Sequence, residues 1–319
     1  MTVTSAQTLN ADAGMADMVA AAPGGAAAVA ASHAAAAASP YSAASSPGHD
    51  TQGRHRHPLS EHTVTHGDVH IAVVTCGSGP AIVLLPSLGR DVEDFFPLAP
   101  LLAARGYRAV MPSPRGMGAS TGPLTGLTLH DFADDIAAVI AHEGPRPALV
   151  AGHAFGNWVA RNTAIDHPDR VAGVAVLAAA HKDFPRELRA HIDGAMDVTV
   201  ERDLRLAHLR AAFFSAGGDP SPWLDGWYPE VARAQRAASA ATPVAGWWTA
   251  GSVPVLDVQA ANDPFAPTSG AHLLREELGA DRVTVRVVGP AGNALLPDQP
   301  VAVANALADF ADGILPSIP

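Results

Sequence analysis

The sequence predicts an α/β fold, with a mostly parallel sheet of eight strands, helices on both faces and one helical insertion. Three observations predict it. From residue 62 onward, short apolar runs alternate with helical stretches, the rhythm of βα units. Two leading segments, 62–66 and 70–75, read as antiparallel strands. Residues 182–251 then break the rhythm with helical patches and turns but no convincing strand.

In order, the next strand covers 81–85, and a helix over 92–104 ends at Gly106. A strand over 107–111 precedes a helix over 129–142, for which Thr128 is a plausible N-cap. A strand over 147–152 turns directly into a helix that starts near Phe155, and an apolar strand follows at 171–177. After the insertion come a strand at 253–259, a helix at 270–278, a strand at 282–288 and a helix at 301–310. Residues 1–61 are runs of Ala, Gly, Ser and Pro with a cluster at His55-Arg56-His57, and they predict a mobile low-complexity tail. The predicted division is therefore tail 1–61, core 62–181, cap 182–251 and core again 252–319.

Charge and cysteine content narrow the partners. Acids number 31 and bases 20, a net charge of −11 that disfavours nucleic acid and anionic membranes. The one cysteine, Cys76, allows neither an internal disulfide nor a multi-thiolate metal site, and reads as a buried thiol in a strand. No apolar stretch reaches the ~18–20 uninterrupted residues of a membrane span. No basic segment precedes the apolar runs of the tail, as a secretory signal requires, so a cytoplasmic protein is expected. There is no Rossmann phosphate loop, P-loop or convincing metal-ligand set, so neither cofactor nor metal is predicted.

The most informative motif is Gly152-His153-Ala154-Phe155-Gly156 at a strand-to-helix turn, the setting of a G-x-S-x-G nucleophile elbow with alanine at its apex. Leu85-Pro86-Ser87-Leu88-Gly89-Arg90 follows a strand, and Ser113-Pro114-Arg115-Gly116-Met117-Gly118-Ala119-Ser120 follows the next. Asn262-Asp263-Pro264 and Gly292-Asn293-Ala294 follow the two late strands. In these motifs and in its cap insertion, the chain over 62–319 resembles the α/β-hydrolase superfamily, in flavour its capped epoxide-hydrolase-like and esterase-like branches.

The resemblance implies that Ala154, Asp263 and Asn293 occupy the nucleophile, acid and base positions, and that the amides of Leu88 and Phe155 form an oxyanion site. An alanine methyl cannot attack a carbonyl, and an asparagine amide is not basic near pH 7. His181, which ends the apolar run 174–180, is the preferred substitute base, working with Asp263. Arg90 is a candidate for a substrate carboxylate. Trp223, Trp227 and Trp247, with Trp248, Phe213 and Phe214, are candidate walls of an apolar pocket. His153 and His130 read as structural, and the Ser87 hydroxyl lacks an obvious base. The expected function is an enzyme that acts on an apolar carbonyl-bearing small molecule without a serine nucleophile, by isomerisation, cyclisation, retro-addition or water addition. Two alternatives stay open: a non-catalytic ligand-binding protein, and an ester, epoxide or lactone hydrolase in inactivated form.

Overall fold

The computed structural model describes residues 57–179 and 185–315. Eight strands form one sheet: β1 (Leu59–His66), β2 (Val69–Cys76), β3 (Ala81–Leu85), β4 (Arg108–Pro112), β5 (Ala148–His153), β6 (Val171–Leu177), β7 (Val255–Ala260) and β8 (Val283–Val288). Their order is β1-β2-β4-β3-β5-β6-β7-β8. β2 pairs antiparallel with β1 and β4, and every other neighbouring pair is parallel. Gly67, with φ 60°, lies in the two-residue turn of the β1–β2 hairpin.

Nine α-helices accompany the sheet among the described residues: α1 (Ala99–Ala104), α2 (Leu129–Glu143), α3 (Phe155–Asp166), α4 (Arg189–Met196), α5 (Arg202–Ala212), α6 (Pro229–Ala241), α7 (Leu273–Leu278), α8 (Leu295–Asp298) and α9 (Pro300–Ile314). The central strands β3, β5 and β7 are almost wholly buried because both faces are covered. Val83, Val150 and Val174 face Phe132 and Val159 of α2 and α3. Ile82, Leu84 and Leu149 face Leu102 and Leu307 of α1 and α9. The period-two alternation of these apolar strands supplies both layers.

Three boundaries differ from the sequence reading. β1 begins at Leu59, so residues 59–61 belong to the sheet: Leu59 pairs with Cys76 and Glu61 with Val74. The remainder of the predicted tail, residues 1–56, lies outside the described residues. The helix expected over 92–104 is a 3-10 turn, Val92–Phe95, followed by α1. Pro97 lies between them, and a proline has no N–H to continue a helical ladder. The helix expected at 270–278 likewise divides into a 3-10 turn, Thr268–Gly270, and α7. Between β6 and β7 the described residues form α4, α5, α6 and short 3-10 turns, with no strand.

Candidate functional site

The site forms where β5 turns into α3. Ala154 sits at the apex with φ 45° and ψ −110°, a backbone conformation that L-residues rarely adopt. The tightness of the turn dictates the flanking glycines. A Cβ on Gly152 would stand 2.2 Å from the backbone carbon of Gly156, and one on Gly156 would stand 2.4 Å from the Leu85 carbonyl oxygen. The Ala154 N–H donates to the Leu177 carbonyl at 3.0 Å, which ties the apex to β6. As the first residue of α3, Phe155 has an amide with no intrahelical acceptor.

Two loops from the carboxyl ends of β7 and β8 meet this apex. Asn293 donates from Nδ2 to Asp263 Oδ2 at 3.1 Å and to the Ala178 carbonyl at 3.3 Å. Asp263 Oδ1 accepts the Phe265 N–H at 2.9 Å. Burial pushes the Asp263 carboxyl up to about 6, against the pull of the hydrogen bonds from Phe265, Asn293 and Ala266. His153 supports the same loop from below, fully buried, with Nε2 2.8 Å from the Asn293 carbonyl. A carbonyl only accepts, so Nε2 carries the proton. Burial lowers the His153 pKa and favours the neutral ring.

The loop after β3 closes the other side. Its Leu88 N–H has no acceptor among the described residues, and neither has that of Phe155. Backbone and side chains stitch this loop to the helical insertion. Tyr228 N–H donates to the Gly89 carbonyl at 2.9 Å, and Gly89 N–H donates to Gln235 Oε1 at 2.8 Å. Arg90 and Trp227 form a β-bridge.

A cavity of about 50 Å³ lies above the apex, lined chiefly by Leu88, Ala154, Phe155, Asn157, Trp227 and Asn293. Trp158, Ala178, Ile192, Phe213 and Phe265 add to its apolar side, and Ser87 adds a hydroxyl. Asp263 stands behind Asn293 and does not line it. Other expected residues are placed differently. Arg90 is buried with its guanidinium bonded to both Asp94 carboxylate oxygens and the Asp225 carbonyl. It lies 4.7 Å from the Trp223 ring centre and 4.8 Å from that of Trp227. Its donors are spent on protein groups, so the candidate carboxylate binder is a strut between core and insertion. Trp223 packs behind Phe213 and Trp227, and Trp247 packs against Trp158, so neither lines the cavity. Phe214 and Trp248 also stand away from the cavity lining. His181 lies outside the described residues. His130 bonds Asp166 at 2.7 Å on an exposed face, remote from the lining.

Among the lining residues that the sequence reading did not single out, the polar one is Asn157. Asn157 lies three positions after the apex, and its Nδ2 donates to the Ala154 carbonyl. Its buried Oδ1 has no hydrogen-bond partner among the described residues. The only signal available is its place in the first turn of a helix behind an elbow.

Comparison with known proteins agrees with the topology. The alpha/beta hydrolase fold family profile matches residues 80–224. A pimeloyl-[acyl-carrier protein] methyl ester esterase of Chromobacterium violaceum is 31% identical over 156 residues, covering 45% of this chain and 59% of the esterase. A soluble epoxide hydrolase of Corynebacterium sp. is 29% identical over 119 residues, covering 37% of this chain and 41% of that enzyme. Each match thus spans less than two thirds of the relative. Among solved structures, a thermophilic esterase from Thermogutta terrifontis superimposes with a TM-score of 0.66 at 20% identity, over 80% of this chain and 99% of that one. The chain has the α/β-hydrolase fold, with esterases and epoxide hydrolases among its distant relatives. Among the described residues, no helix is long and apolar enough to cross a membrane.

Proposed function

We propose that the protein binds a small neutral carbonyl compound at the elbow and does not process it through an acyl-enzyme. In this reading Ala154 and Asn293 stand at the nucleophile and base positions of the fold. The carrying observation is the 3.1 Å bond from Asn293 to Asp263, because it puts a non-titrating amide where a proton acceptor would be needed. The Leu88 and Phe155 amides supply two donors for a carbonyl oxygen. Among the described residues no cation lines the cavity, so none of them offers a charged carboxylate a partner. At about 50 Å³ the cavity is far below the ~300–1,000 Å³ of pockets for drug-sized ligands, which narrows the ligand to a few heavy atoms.

The experiment is ligand-observed NMR with acetone and acetamide. At least one should bind the wild-type chain, and Ile192→Trp, which fills the cavity from the insertion side, should abolish the signal. Failure of both to bind would sink the reading. A second reading, proton transfer without a covalent intermediate, draws on the Asp263 carboxyl lying near 6. It requires turnover of a carbonyl substrate that vanishes in Asp263→Asn.

A further inference from the structure

The polar atoms around the cavity are of two kinds. The Leu88 and Phe155 amides are donors without an acceptor among the described residues. Asn157 Oδ1 is an acceptor without a donor among the described residues, in a residue only 1% exposed. The orientation of that side chain is fixed chemically. The Ala154 carbonyl can only accept, so the Asn157 NH₂ must face it and the carbonyl end must face away. A ketone or ester would satisfy the donors and leave the buried Oδ1 unmet. A carboxylate would place a negative charge beside Oδ1, and among the described residues no cation lines the cavity to offset it.

We propose that the cavity above Ala154 is selective for a small primary carboxamide. Its carbonyl oxygen sits at the Leu88 and Phe155 amides and its NH₂ donates to Asn157 Oδ1. The volume sets the size. An apolar cavity of ~150 Å³ accepts benzene, so one of about 50 Å³ restricts the ligand to the smallest carboxamides, with acetamide at the upper end. Asn157 is then a specificity-determining residue whose two ends act separately. One braces the elbow and the other reads the ligand. This inference rests on the proposed binding role of the cavity, and its test separates the two.

Acetamide and acetone have the same shape and differ in the NH₂ group. Their dissociation constants for the wild-type chain are measured by ligand-observed NMR titration. The expected result is acetamide binding about three- to tenfold more tightly than acetone, the value of one added hydrogen bond in a dry site. Asn157→Leu should bring the two ligands to equal affinity. Equal affinities in the wild-type chain overturn the carboxamide inference while leaving the binding reading intact. No binding of either ligand removes both. A preference that persists in Asn157→Leu shows that another group reads the NH₂ and overturns the assignment. The wild-type comparison decides the preference even if Asn157→Leu does not fold.

Discussion

Ala154 holds a strained backbone conformation at the β5–α3 turn, the position proposed above as that of a nucleophile. A positive φ at a non-glycine residue costs of order 1–3 kcal/mol and persists only where the surroundings enforce it. Here the enforcement comes from the Leu177 carbonyl and the two close-packed glycines. If Ala154 and Asn293 stand at the nucleophile and base positions, as proposed, supplying a hydroxyl and an imidazole there should create hydrolytic chemistry. Ala154→Ser combined with Asn293→His is expected to hydrolyse an activated acetate ester at least on the order of tenfold faster than Ala154→Ser alone, because the hydroxyl alone has no base. Equal rates would show that another group already serves as base. Asp263 offers an independent check. Burial lifts its carboxyl from an ordinary 3.8 to about 6. Between those values the folded chain holds a proton that the unfolded chain has released, so stability falls as pH rises through that window. Asp263→Asn does not titrate. Its stability relative to wild type should therefore improve by about 2 kcal/mol between about pH 4 and pH 7, read from urea unfolding at each end. A constant difference would mean that Asp263 titrates normally.

At the scale of elements, the elbow was legible in the sequence because its geometry demands particular residues. Glycines at 152 and 156 are required by contacts of 2.2 and 2.4 Å, and an apolar strand must precede them. Gly152→Ala is expected to destabilise the fold by about 1–3 kcal/mol, since its new methyl would meet backbone rather than a flexible side chain; a change within about 0.5 kcal/mol in thermal unfolding would contradict that. The late loops were legible through the family resemblance, which assigned Asp263 and Asn293 to one site, and the two side chains are bonded. The parts that escaped depend on long-range placement. Arg90 reads as a free cation after a loop, yet its partners include Asp225 and two tryptophans over 130 residues away. The tryptophans of the insertion announce an apolar mass without saying which of them faces the cavity. Trp227 does, whereas Trp223 and Trp247 fill the space behind it. Asn157 escaped because its role depends on the direction of one carbonyl at the elbow.

At the scale of the whole molecule, the helical insertion and the sheet are joined on two sides. On one side the Gly89–Arg90 loop is bonded to Tyr228, Gln235 and Asp225. On the other, Ala294 N–H donates to the Phe213 carbonyl at 2.7 Å, and the Gly292 backbone lies too close to Phe213 to admit a Cβ. Such joints make the described chain one cooperative unit. Four of the five tryptophans belong to the insertion, so tryptophan fluorescence reports mainly on it, while far-UV circular dichroism reports on the whole. The two signals should share one urea midpoint. Arg90→Ala, which strands the buried Asp94 carboxylate, should lower that midpoint by the equivalent of about 3–5 kcal/mol. A separate, earlier fluorescence transition in the wild type would show that the insertion folds independently.

The same two-sided fastening bears on traffic. A roof anchored at both edges cannot swing on a hinge, so a guest must pass between side chains. Among the described lining residues only Ala154 and Trp227 are half-buried rather than buried, which makes the Trp227 indole the movable part of the doorway among them. Its ring nitrogen is tethered to the Trp223 carbonyl, so each passage waits for that tether to break and the ring to turn. Entry and exit then slow together as the guest widens, and cross-section governs the rate of exchange independently of how firmly the guest is held once inside.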